Sequence, residues 1–95
     1  MAGPARYALS VDAEAKRIFK ALKRKNPDVY REVKASALKL LRNPELGKPL
    51  RHGLRNCRRL HIASSFVLVY EITATEVRLL DFDHHNKIYK KYRGG

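Results

Sequence analysis

The chain has 95 residues, with 21 Lys and Arg against 9 Asp and Glu, a net charge of +12. That length allows one domain, 1–95, near the lower range for a chain folding around a single core, and excludes a second. At 44% hydrophobic residues it is too apolar for a solvated basic tail, so the excess charge lies on a folded body and points to a polyanionic partner.

Arg6 to Val11 alternates as a strand, with Tyr7, Leu9 and Val11 on one face. Asp12 is suited to cap a following helix, Glu14 lies in its first turn and Lys23, Arg24 and Lys25 in its last, matching the helix dipole at both ends. Ala15, Ile18, Phe19 and Leu22 form its apolar stripe. Asn26-Pro27 starts a second helix with the stripe Tyr30, Val33, Ala37, Leu40 and Leu41, and Asn43 ends it because the residue before Pro44 is pushed out of the α region. So tight a junction makes the pair an antiparallel hairpin. Pro44 to Asn56, rich in Pro, Gly and charge, reads as a long crossing loop.

Three strands follow, Arg58–Ile62, Phe66–Ile72 and Val77–Phe82, with connections suited to an antiparallel meander. The order β-α-α-β-β-β implies an α+β domain, the helix hairpin covering one face of a mainly antiparallel sheet and the other face free for function. Strand parity turns Leu60 and Ile62 toward the helices and leaves Cys57, Arg59 and His61 on the open face. The only cysteine, Cys57, cannot close an internal disulfide, and no Cys/His spacing suits zinc, so a reducing cytoplasm is expected. No apolar run approaches the roughly 18 to 20 residues of a membrane span, and no secretory leader is recognisable at the start.

The remaining tail, Asp81 to Tyr92, concentrates His84, His85, Lys87, Tyr89, Lys90, Lys91 and Tyr92. Histidine takes and gives protons near neutrality. Scission of RNA needs a base for the 2′-OH, a cation for the charged intermediate and an acid for the leaving 5′ oxygen, with no metal required. Aromatic rings add stacking surfaces for unpaired bases. The same residues also suit a solvated edge and a capped loop, and His84-His85 without further ligands is no metal signature.

Gly47-Lys48-Pro49-Leu50, Leu54 to Cys57 leading into Arg58-Arg59-Leu60-His61-Ile62, Phe66-Val67-Leu68-Val69-Tyr70 and the closing His84-His85-Asn86-Lys87-Ile88-Tyr89 occur in an order and spacing that resemble the RelE/ParE superfamily of small toxins encoded beside an antitoxin. The resemblance spans nearly the whole chain. It implies a RelE-like fold, no cofactor, a cognate antitoxin, and an mRNA endonuclease acting on the codon in the ribosomal A site. Val67 stands where many RelE-type enzymes have Arg, and His85 also replaces an Arg of the closing motif, departures similar to the YafQ-like branch. Ser65 replaces an aspartate of that branch. By this resemblance His61 and His85 form the acid–base pair in either order, Arg59 stabilises the phosphorane and Tyr89 orients the phosphate or stacks on a base. Lys48, Arg51, His52, Arg55, Lys87, Lys90 and Lys91 are then the cations that follow an RNA backbone. Two other functions fit the chain: a ParE-like toxin that inhibits DNA gyrase without cutting RNA, and a basic RNA-binding module with no chemistry.

Overall fold

The computed structural model describes residues 7–50 and 56–92. Strand β1 (Ala8–Val11) passes through Asp12 into helix α1 (Ala13–Lys25), where the Asp12 carboxylate accepts from the Glu14 N–H. Asn26 closes α1 and opens α2 (Pro27–Arg42), its side chain accepting from the Val29 N–H. Asn43 ends α2 ahead of Pro44, as the proline dictates.

The crossing segment is more ordered than its composition suggests. Pro44–Leu46 is a 3₁₀ turn and Lys48–Pro49 a short strand, β2. Tyr70 pins the turn: its hydroxyl accepts from the Gly47 N–H at 2.9 Å and donates to the Pro44 carbonyl at 2.6 Å. A Cβ on Gly47 would lie 2.5 Å from the Arg59 carbonyl oxygen, so glycine is what lets β2 approach this closely.

Strands β3 (Cys57–Ile62), β4 (Phe66–Ile72) and β5 (Glu76–His84) complete a five-stranded sheet in the order β1-β5-β4-β3-β2. Every neighbouring pair is antiparallel except β1 with β5, which run parallel. The main core lies between the sheet and the helix hairpin, where Ala15, Phe19, Val33, Ala37 and Leu40 meet Ile62, Leu68, Tyr70, Val77, Leu79 and Phe82. Tyr7 and Val11 pack on it, but Leu9, expected with them, remains 42% exposed.

On the opposite face one element is added and one expectation corrected. The tail beyond Phe82, to which the sequence pattern assigns no element, is ordered: β5 continues to His84 and runs without a connecting residue into helix α3 (His85–Tyr92). The face expected to be free is therefore not wholly open. α3 covers part of it, burying Ile88 with Val67 and Val69, while Leu50, Leu80 and Tyr92 pack around them. Cys57 is buried too.

A one-residue irregularity makes this possible. Val69 lies opposite Asp81 but Tyr70 lies opposite Leu79, so Leu80 is extra. In a regular strand Leu80 and Asp81 would point to opposite faces. Here Leu79 and Phe82 both reach the main core, Leu80 packs beneath α3 and Asp81 bonds residues of α3.

Candidate functional site

The four residues proposed for chemistry come together around one ring. Arg59 and His61, two apart on β3, share a face by strand parity. Tyr89 reaches them from α3, its hydroxyl 3.0 Å from Nε2 of His61. The two rings meet edge-on with centroids 6.4 Å apart. His85, one helical turn before Tyr89, is a second neighbour of that ring, at 6.1 Å between centroids. The Arg59 guanidinium carbon sits 5.7 Å from the Tyr89 ring centroid, within cation–π range. One of its nitrogens donates to the Pro49 carbonyl at 3.1 Å, and its Nε finds no partner among the described residues. Two imidazoles, a phenol and a guanidinium thus border a single surface, with His61 exposed and His85, Arg59 and Tyr89 half-buried.

The α3 N-terminus is held by the β3–β4 turn. Ala63 and Ser64 both adopt left-handed backbone, with φ of 51° and 60°, and the Ser65 carbonyl accepts from the His85 N–H at 2.9 Å. Ser65 therefore supports His85 through its main chain. His84, the last residue of β5, is excluded: it pairs across from Phe66, its ring tilted by 30° to that ring at 4.5 Å between centroids.

The proposed backbone-tracking cations divide into groups. Lys48 is exposed on β2 directly across from Arg59. Lys87 and Lys90 line a shallow depression with Asn86 and Tyr89. Lys91 is committed elsewhere, its ammonium 2.7 Å from Oδ2 of Asp81. Arg51, His52 and Arg55 lie outside the described residues. Sequence reasoning missed Asp81 and Tyr92, because only the irregularity in β5 turns that carboxylate toward α3. The Tyr92 hydroxyl donates to the same Oδ2 at 2.8 Å, and Oδ1 accepts from the Phe82 N–H.

A second feature lies across the sheet. A groove of about 650 Å³ runs between β1 and the helix hairpin, floored by apolar residues including Val11, Phe19, Val33 and Leu79. Leu9 and Leu38, 42% and 65% exposed, stand along it. Its rim carries Lys16, Lys20, Lys23 and Lys34.

Comparison with known proteins bears on most of the chain. Residues 5–89 match the family model of the ParE toxin of type II toxin–antitoxin systems. An uncharacterised protein of Methanosarcina mazei is 36% identical over 85 residues, covering 87% of this chain and 99% of the relative. RelE4 of Methanocaldococcus jannaschii, named as a toxin, is 32% identical over 87 residues, covering 90% and 93%. Among solved structures, a chain of the toxin–antitoxin complex RelBE2 from Mycobacterium tuberculosis superposes with a TM-score of 0.71 at 28% identity, covering 87% of this chain and 95% of that one.

The contacts that hold α3 are sensitive to alkali. The hydrogen bond to Asp81 raises the Lys91 ammonium above its ordinary 10.5, and burial followed by the bond to Asp81 raises the Tyr92 phenol above its ordinary 10.0. Both groups are raised on folding, so their stabilisation is fully present below these ordinary values and is lost as pH climbs through the higher folded ones. Amide exchange of α3, measured relative to β4 after correction for intrinsic rates, should therefore accelerate in strongly alkaline solution. Constant relative protection would contradict this, and Tyr92→Phe should remove the phenol's part of the response.

Proposed function

This chain belongs to the ParE toxin family of type II toxin–antitoxin systems, and from that premise we propose that it is a ribosome-dependent mRNA endonuclease held in check by a cognate antitoxin. The family gives the toxin; the chemistry is argued from the site, because one fold can carry different activities. The observation that carries the reading is the hydrogen bond between Tyr89 and His61, with His85 and Arg59 against the same ring.

In this reading one histidine removes the 2′-OH proton and the other protonates the departing 5′ oxygen. Arg59, whose guanidinium lies against the Tyr89 ring, donates to the phosphorane. Tyr89 orients the phosphate or stacks on a base. Lys48, Lys87 and Lys90 follow the message or ribosomal RNA backbone, as would Arg51, His52 and Arg55. Lys91 is withdrawn from that set by its bond to Asp81. The setting is the cytoplasm, where ribosomes are and a lone thiol stays reduced; among the described residues no helix is long and apolar enough to cross a membrane.

The antitoxin contact is assigned to the groove beside β1. Its apolar floor and four-lysine rim complement an amphipathic helix with an acidic polar face, which orders as it buries apolar surface. A second reading is favoured by the ParE description of the family model: inhibition of DNA gyrase through a protein interface, without RNA scission.

Replacing either histidine, His61→Ala or His85→Ala, should slow cleavage of ribosome-bound message by about 10² to 10⁴ with folding retained; parental rates would refute the assignment. Leu38→Glu should weaken antitoxin binding by at least about tenfold, as expected for charge placed in an apolar contact, while shifting folding stability by no more than about 0.5 kcal/mol at so exposed a position. Unchanged affinity in a titration would move the antitoxin to another surface.

A further inference from the structure

Helix α3 spans only His85–Tyr92, and isolated helices shorter than about 12 to 15 residues are marginal in water. Three attachments therefore decide where its side chains stand. Its start is joined to β5 and bonded through the His85 N–H to the Ser65 carbonyl. Its middle is anchored by Ile88, 1% exposed against Val67 and Val69. Apolar contact at Ile88, with the Tyr92 ring packed beside it, still permits a roll about the helix axis, and a roll would carry the adjacent Tyr89 away from His61. The third attachment lies at the other end of the helix: Asp81, 4% exposed, takes Lys91 and Tyr92 on a single oxygen from the last turn of α3. Its other oxygen accepts from the Phe82 N–H, which fixes the carboxylate's direction.

We propose that Asp81 is a positioning residue for the candidate site, holding Tyr89 against His61 through Lys91 and Tyr92 without touching substrate. The kinetic part of this inference rests on the nuclease reading above; the structural part does not. A displacement of about 1 Å in a reacting constellation can lower a rate by about 10²-fold, so losing the clamp acts on turnover rather than on capture of the ribosome, which the exposed lysines serve.

The test compares the parent with Asp81→Ala, with Lys91→Met/Tyr92→Phe, which breaks the same contacts while leaving β5 intact should Asp81→Ala fail to fold, and with Lys91→Arg, which keeps the cation. Leu79→Ala, in the main core, is the control for a general loss of stability. NMR contacts between the Tyr89 and His61 rings should disappear in both clamp variants while β4–β5 cross-strand contacts persist. They should survive in Lys91→Arg and in folded Leu79→Ala. On ribosome-bound message the clamp variants should lose about 10- to 100-fold in kcat with KM unchanged. Retained Tyr89–His61 contacts in a clamp variant, or a fall confined to KM, would overturn the proposal. If the parent itself does not cut, the nuclease reading fails and the NMR contacts alone decide the clamp.

Discussion

The arrangement depends on eight residues of helix being held against a sheet. Fixing a backbone costs on the order of 1–2 kcal/mol per residue, whereas burying one isoleucine returns about 1.5–3 kcal/mol, so Ile88 by itself does not secure α3. The extra residue in β5 supplies what is lacking by turning Leu80 and Asp81 toward the helix. One of them enlarges the apolar seat, the other bonds the last turn. Because Tyr89 adjoins Ile88 on that helix, the meeting of Tyr89 with His61 inherits its stability from this docking. The ion pair in isolation contributes modestly, since Lys91 remains 60% exposed and exposed pairs are worth about 0–1 kcal/mol. Its effect comes from joining a phenol and an ammonium to a carboxylate whose direction is already set.

In our reading the sheet separates two kinds of recognition. On the hairpin side, an apolar groove with a lysine rim suits an acidic protein helix. On the α3 side, histidines, Arg59 and Tyr89 lie among exposed lysines, a combination suited in our reading to an RNA backbone and its 2′-OH. In that reading the net charge of +12 serves both through long-range attraction, and the apolar floor on one side and the imidazoles on the other would distinguish partner from substrate.

Much of this was legible in the sequence because local chemistry and tertiary structure agree. Asp12, Asn26 and Asn43 bound the helices where capping and proline rules place them, and β3 alternation puts Leu60 in the core and Arg59 with His61 opposite. The hidden features arise from long-range contacts. β2 exists because Tyr70 and Gly47 draw the crossing segment onto β3. α3 escaped because no turn residue separates His84 from His85, although Ile88 and Tyr92 have the i, i+4 spacing of a buried face. Asp81 was unreadable as a clamp because strict alternation assigns its side chain to the wrong face. The RelE/ParE resemblance agrees with the family match over residues 5–89, while the roles of individual residues rest on the geometry around Tyr89.

The chemistry of the cut ends tests the central claim most directly. Purified protein added to ribosomes carrying a defined message, in chelator matched to keep the ribosomes intact, should release a fragment ending in a 2′,3′-cyclic phosphate or its hydrolysis product and a second beginning with a 5′-OH, as 2′-OH attack requires. Ends bearing 3′-OH and 5′-phosphate, or intact message alongside blocked DNA supercoiling by gyrase, would contradict the account.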